Sequence, residues 1–191
     1  MRLGLAIVVL GGLCAPGLAQ DKKEKTDPDL LWQKEWGFSI QKPVKNEEWE
    51  FKDHMLYTNS HGVVSHKVDR VFIEVFAQEK AGGTSYFDPK AAAESEWKTL
   101  STEFKDAKKV QDIKVAKLPN GGANNPMSYL LDMTGKDKEG RATELKCWSF
   151  VGKENQYFYR IFLVGDEGMY KKHQKDLDLI LGSLKILRIP K

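Results

Sequence analysis

Val71-Phe72-Ile73-Glu74-Val75-Phe76-Ala77 is the stretch on which the fold turns. A strand with one wet face alternates apolar and polar residues, because successive side chains point to opposite faces of a sheet. Here β-branched and aromatic residues occupy both parities, with Val71, Ile73 and Val75 on one and Phe72 and Phe76 on the other. Such residues favour strands, and apolar side chains on both parities require cover on both faces. The chain must therefore place a layer on each side of this strand.

The next segment supplies one cover. Asp88 caps a helix, Pro89 takes its first position, and Ala93, Trp97, Leu100 and Phe104 recur at helical spacing. Glu94, Glu96, Lys98 and Glu103 are expected on its wet side. Strand patterns return at 110–118, 127–134, 142–151 and 157–164, separated by Asn120-Gly121-Gly122, Asn124-Asn125-Pro126 and turns at 136–140 and 152–155. Strands joined this tightly pair antiparallel. A last helix is expected over 167–181, burying Tyr170, His173, Leu177 and Ile180, with Gly182 as its stop. Leu184, Ile186 and Ile189 then form a terminal strand.

Toward the N-terminus, Trp36-Gly37-Phe38-Ser39-Ile40 alternates with the period of a half-buried strand that Pro43 ends. The aromatic-rich 49–57 segment reads as another, with a turn at 59–62. Asp27-Pro28 has the form of a helix start, and Leu30, Leu31 and Trp32 offer one short apolar turn. The whole reads as α+β: an antiparallel β-sheet flanked by helices, a three-layer α/β/α sandwich. The alternative is two layers with one open face.

The sequence resembles the sandwich family of the photosystem extrinsic protein PsbP, the Ran-binding protein Mog and the bacterial DcrB-like proteins. The resemblance spans roughly residues 36–189. It rests on Gly37-Phe38-Ser39-Ile40 followed by Pro43, on the 88–104 helix, and on the ending Asp176-Leu177-Asp178-Leu179-Ile180-Leu181-Gly182-Ser183-Leu184-Lys185-Ile186. It implies an antiparallel sheet between helices and a binding, assembly or accessory role, and it carries no functional residue onto this chain.

Residues 1–19 read as a secretory signal peptide: Arg2 makes a positive start, an apolar run spans residues 3–13, and the small residues Gly17 and Ala19 precede a cut. Residues 20–27 form a charged, flexible leader, and 28–191 a single domain. No later segment is apolar over the ~20 residues a transmembrane helix needs. Gly11, Gly12 and Leu13 stand in the wrong order for lipidation of Cys14. Removal of Cys14 leaves Cys147 as the one cysteine, so no intramolecular disulfide forms and the core must hold the fold. The net charge of +3 is spread over lysines interleaved with acids, which argues against a nucleic-acid partner.

Little here carries chemistry. His54, His61 and His66 lie close in sequence, but their spacing matches no ligand set, and they are expected on a solvent-facing hairpin. His173 is expected at a core edge with no nucleophile near it, and Cys147 as a buried thiol. Glu74 and Arg160 interrupt apolar strands, either as a pair across the sheet or, the bland alternative, as side chains reaching solvent at its margin. The 120–126 connection lacks the Gly-x-x-x-x-Gly-Lys-Ser/Thr pattern of a phosphate loop. It is the longest polar loop, however, so Asn120, Gly121 and Asn124, with the aromatics Trp148 and Tyr157, mark the expected binding surface. Trp36, Trp49 and Trp97 are assigned mainly to the core. No catalytic residue, cofactor or metal is expected. The function read from this is an exported, periplasmic or secreted, non-enzymatic binding or accessory protein with a protein partner. The alternatives are an exported hydrolase whose carboxylate and histidine meet on folding, and an envelope lipid- or glycan-binding domain.

Overall fold

The computed structural model describes residues 27–79, 88–124, 127–154 and 157–188. The expected signal peptide, nearly all of the leader, Asn125-Pro126, Asn155 and Ile189 lie outside the described residues. In chain order the elements are β1 (Leu30–Gln33), β2 (Phe38–Gln41), β3 (Trp49–Lys52), β4 (Gly62–His66), β5 (Val71–Gln78), α1 (Pro89–Glu103), β6 (Lys105–Lys109), β7 (Lys114–Ala116), β8 (Ser128–Lys136), β9 (Ala142–Val151), β10 (Phe158–Asp166), α2 (Met169–Lys172), α3 (Gln174–Ser183) and β11 (Lys185–Ile186). Eight strands form an antiparallel sheet in the order β3-β4-β5-β10-β9-β8-β6, with β7 also paired to β8. A second, three-stranded sheet has the order β1-β2-β11. No helix among the described residues is long and apolar enough to cross a membrane.

The double burial read from 71–77 is what the fold delivers: every β5 residue before Gln78 is buried. Phe72, Phe76, Phe162, Leu145, Cys147, Leu131 and Met133 meet Leu100 of α1 and Phe104 at its C-cap on one face. On the other, Val71, Ile73, Val75, Ile161, Leu163 and Trp148 meet Leu177, Ile180 and Leu181 of α3, with Phe38, Ile40 and Ile186 of the small sheet. The third layer is thus α3 extended by three short strands.

Asp88 caps α1, accepting the Lys90 amide at 2.8 Å, with Pro89 behind it. Glu96 departs from its expected wet position: it is 3 % exposed, facing the sheet. Its carboxylate receives the Tyr57 hydroxyl and the Arg160 guanidinium, and that guanidinium lies 4.1 Å over the Phe76 ring. Glu74, fully buried, does not pair with Arg160 and does not reach solvent. It accepts the backbone N–H groups of Met55, Leu56 and Tyr57 at 3.3, 2.6 and 3.1 Å. Both acids therefore fix the 55–57 segment and α1 to one face, where an unpaired charge would be costly.

Three other expectations are corrected. Residues 30–33 form a strand, because four residues cannot repay helix nucleation whereas pairing with β2 satisfies their backbone. The expected 110–118 strand is replaced by β6 and β7, and β6 reads Lys-Asp-Ala-Lys-Lys, a charged sheet edge without an apolar period. The last helix breaks at His173 (φ −107°, ψ 15°).

That break serves a clasp. His173 Nε2 donates to Asp69 Oδ2 at 2.6 Å and Lys172 Nζ reaches the same oxygen at 2.6 Å, tying α2 to the β4–β5 turn. One turn on, Asp176 accepts the Trp49 indole N–H at 3.1 Å and the Asn46 amide at 3.2 Å. The other end of α3 is held by the Pro119–Asn124 turn. A Cβ on Gly122 would stand 1.9 Å from the Leu181 carbonyl oxygen, so only glycine permits this approach.

Replacing Glu74 by Ala strands three amides. At about 1–3 kcal/mol per buried unsatisfied donor, partly recovered by loop relaxation, we expect a loss of roughly 3 kcal/mol in urea unfolding. Glu74→Gln, which keeps one acceptor oxygen, should lose less. An unchanged midpoint for Glu74→Ala would show that the carboxylate does not organise the segment.

The hydrogen bonds from Lys172 and His173 hold the Asp69 carboxyl down at about 2. A folded-state value below the unfolded one gives stability that is complete above the ordinary carboxylate range and is lost as pH falls toward 2. Asp69→Asn should therefore unfold more easily than the parent at pH 7, with the gap closing between about pH 4 and 2. A gap that stays constant across that range would assign the effect to something other than this charge.

Candidate functional site

A recess of about 310 Å³ opens where α2 and α3 span the sheet. Its floor is apolar: Trp148 from β9, Leu163 from β10, and Leu177 and Leu181 from α3, with Pro119 closing one end. Lys171 of α2 stands on the rim with Gln174 and Asp178, which are four apart on α3 and so share one edge of it beside Leu177 and Leu181. Lys146 joins them from β9, two residues from Trp148 and hence on the same face. The rim is polarised. Lys146 Nζ lies 5.4 Å over the Tyr170 ring, which puts two cations at the α2 end. Asp178 lies toward Asn120, whose side-chain amide donates to the Asp178 carbonyl at 3.0 Å.

The walls are tied by hydrogen bonds. The Tyr170 hydroxyl donates to the carbonyl oxygens of Glu144 and Leu163, and burial pushes its phenol well up. Trp148 is 4 % exposed, and its indole N–H is buried without an acceptor among the described residues. A buried polar group lacking its hydrogen bond is unfavourable and therefore informative.

The structure divides the residues expected to form the binding surface. Trp148 lines this recess, and Asn120, Gly121 and Asn124 stand exposed on the turn that continues from Pro119. Asn124 also donates to the Ile186 carbonyl at 3.3 Å, so the turn is fastened to the third layer. Tyr157 lies elsewhere, edge-on to Trp36 at 6.4 Å. Trp36 stacks on His61 at 3.7 Å, and both line a second recess of about 280 Å³ with Leu31, Phe51 and Ser60. His61 Nε2 bonds the Ala77 carbonyl at 2.9 Å, and burial lowers its basicity.

Lys146, Lys171, Gln174 and Asp178 were not singled out from the sequence. The available signal was partial: Gln174 and Asp178 are four apart beside the buried Leu177 and Leu181 of α3, whereas Lys171 comes from α2.

The histidines do not gather as a sequence trio. His54 is exposed, His61 stacks on Trp36, and His66 is buried with ligand atoms within 4.8 Å of those of Asp69 and His173. In this structure the three are engaged with one another and with the backbone. His66 Nδ1 accepts the amides of Val68 and Asp69 at 3.3 and 2.9 Å, so its lone pair is used and Nε2 carries the proton. Asp69 is already held by Lys172 and His173. His173 stands beside an acid, as the hydrolase reading requires, yet neither residue lines the two recesses described. Cys147 is fully buried, and burial pushes its thiol up, away from nucleophilic use.

No protein-family model matches the chain, and no curated protein matches it in sequence. Solved structures do match in fold. Cyanobacterial PsbP (CyanoP) from Synechocystis sp. PCC 6803 aligns at TM-score 0.55 and 12 % identity, over 85 % of this chain and 95 % of that one. LpqN of Mycobacterium tuberculosis, involved in cell envelope biogenesis, aligns at 0.51 and 13 %, over 78 % and 84 %. The Ran-binding protein Mog1p of Saccharomyces cerevisiae aligns at 0.50 and 8 %, over 83 % and 95 %. At such identities the likeness is one of fold, and on that ground the chain has the α+β fold of PsbP and Mog1.

Proposed function

We propose that the chain is an exported, non-enzymatic binding or accessory protein that engages a partner protein. Its contact face is the surface where the Pro119–Asn124 turn meets α3. The observation that carries this is the recess beside that turn, with its apolar floor, charged rim and walls fixed by hydrogen bonds. Rigid scaffolds bearing exposed polar turns suit recognition, because little order has to be created on binding. The fold neighbours agree in kind, since one is named for binding Ran and another for envelope biogenesis. Export is supported by the charge, apolar run and small residues of 1–19. The hydrolase reading is disfavoured by the His173–Asp69 pair, which is engaged with Lys172 rather than set in a cleft.

A photo-crosslinking amino acid at Asn120 or Gln174 should give a saturable adduct with one exported protein in the cells that make the chain. The same group at Glu94, on the solvent side of α1, should not. Equal adducts from all three positions, or none from the first two, would remove this face as the contact surface.

A further inference from the structure

We infer that the recess under α3 is a binding site for a small amphipathic carboxylate, its head between Lys146 and Lys171 and its apolar part on Trp148, Leu163, Leu177 and Leu181. The inference rests on reading the chain as a binding protein, but it does not require the partner to be a protein.

Three observations choose this chemistry. The volume of about 310 Å³ is at the lower end of the roughly 300–1,000 Å³ typical of small-molecule sites. The floor is a tryptophan with three leucines, which a fully polar ligand would leave uncovered. The polar groups discriminate charge: two lysines, Lys146 and Lys171, line the recess against the single Asp178.

The polarity also sets an orientation. Lys171 belongs to α2 and Asp178 to α3, beyond the break at His173, with Asp178 on the side of the Asn120 turn. A ligand with its carboxylate at the lysines therefore runs its chain over Leu177 toward Pro119. The second recess, under Trp36, lacks this arrangement, because its Lys52 and Asp53 are adjacent in sequence and the Trp36 ring is stacked on His61.

The test uses the mature chain labelled with nitrogen-15, reading the indole N–H resonances of its tryptophans during titration with octanoate. Trp148→Phe serves only to assign one resonance. We expect a saturable shift of the Trp148 signal while Trp32, Trp36 and Trp97 stay in place. Acetate, which has the head without the chain, and octylamine, which reverses the charge, should leave it unmoved. Lys171→Glu, on an exposed side chain, should weaken octanoate roughly tenfold, the scale of one lost charge-assisted contact. Lys175→Glu, exposed on α3 outside the lining, should change nothing, and Gln174→Trp should block entry.

No saturable shift with octanoate, octylamine binding as tightly, or Lys171→Glu binding octanoate like the parent would each overturn the site. Saturable crosslinking from Asn120 without octanoate binding would remove the ligand and keep the protein-contact role. Octanoate binding without crosslinking would do the reverse.

Discussion

At its centre, the large sheet has no face of its own to give to water. In β5, β10 and β9, side chains of both parities are buried, so two separate layers have to be held against three strands. They are held differently. α1 is joined by Leu100 and Phe104 and by the Glu96–Arg160 pair beneath it, with Tyr57 on the same carboxylate. A buried pair of this kind adds little net stability, but losing either partner leaves a charge in an apolar layer. The pair therefore ties one helix position to one strand position. The layer of α3 instead has apolar contact along its length and polar clasps at each end, Asp69 with His173 at one and the Asn120 amide on the Asp178 carbonyl at the other, where Gly122 also lets the turn pack close on Leu181.

The recess follows from this second mode of support. A helix pinned at both ends over a twisted sheet need not fill the space between, and here Trp148 and Leu163 are left to form a floor. The break at His173 contributes, since α2 turns Tyr170 down onto the Glu144 and Leu163 carbonyls while α3 carries the rim. A continuous helix would have carried Lys171 and Asp178 on one unbroken edge. Fold and site are thus linked by the clasps and not by a catalytic arrangement.

Residues 71–77 and 142–151 could be read as strands because their β-branched and aromatic content is strong on both parities, and α1 because Asp88-Pro89 states its start. The elements that misled carry no such local statement. β6 is a charged edge strand whose pairing comes from β8, and residues 30–33 borrow their form from β2. Glu96 looked wet because its partner is sixty-four residues away on β10. The site divides in the same way. Trp148 and the Asn120 turn were visible as an aromatic and a polar loop, whereas Lys146 and Lys171 look like any surface lysines until α2 is laid across β9. What was hidden in each case is contact between segments distant in sequence.

Cys147 lies at the middle of β9, between β8 and β10, fully buried and 3.9 Å from the Ser149 hydroxyl. An alkylating reagent cannot meet this sulfur while those three strands stay paired, and burial disfavours the thiolate that would react. The thiol is therefore a clock wired to the sheet centre. The rate at which it is modified in the native protein counts the openings of β8, β9 and β10, separately from fraying at the charged edge or at the clasps of α3.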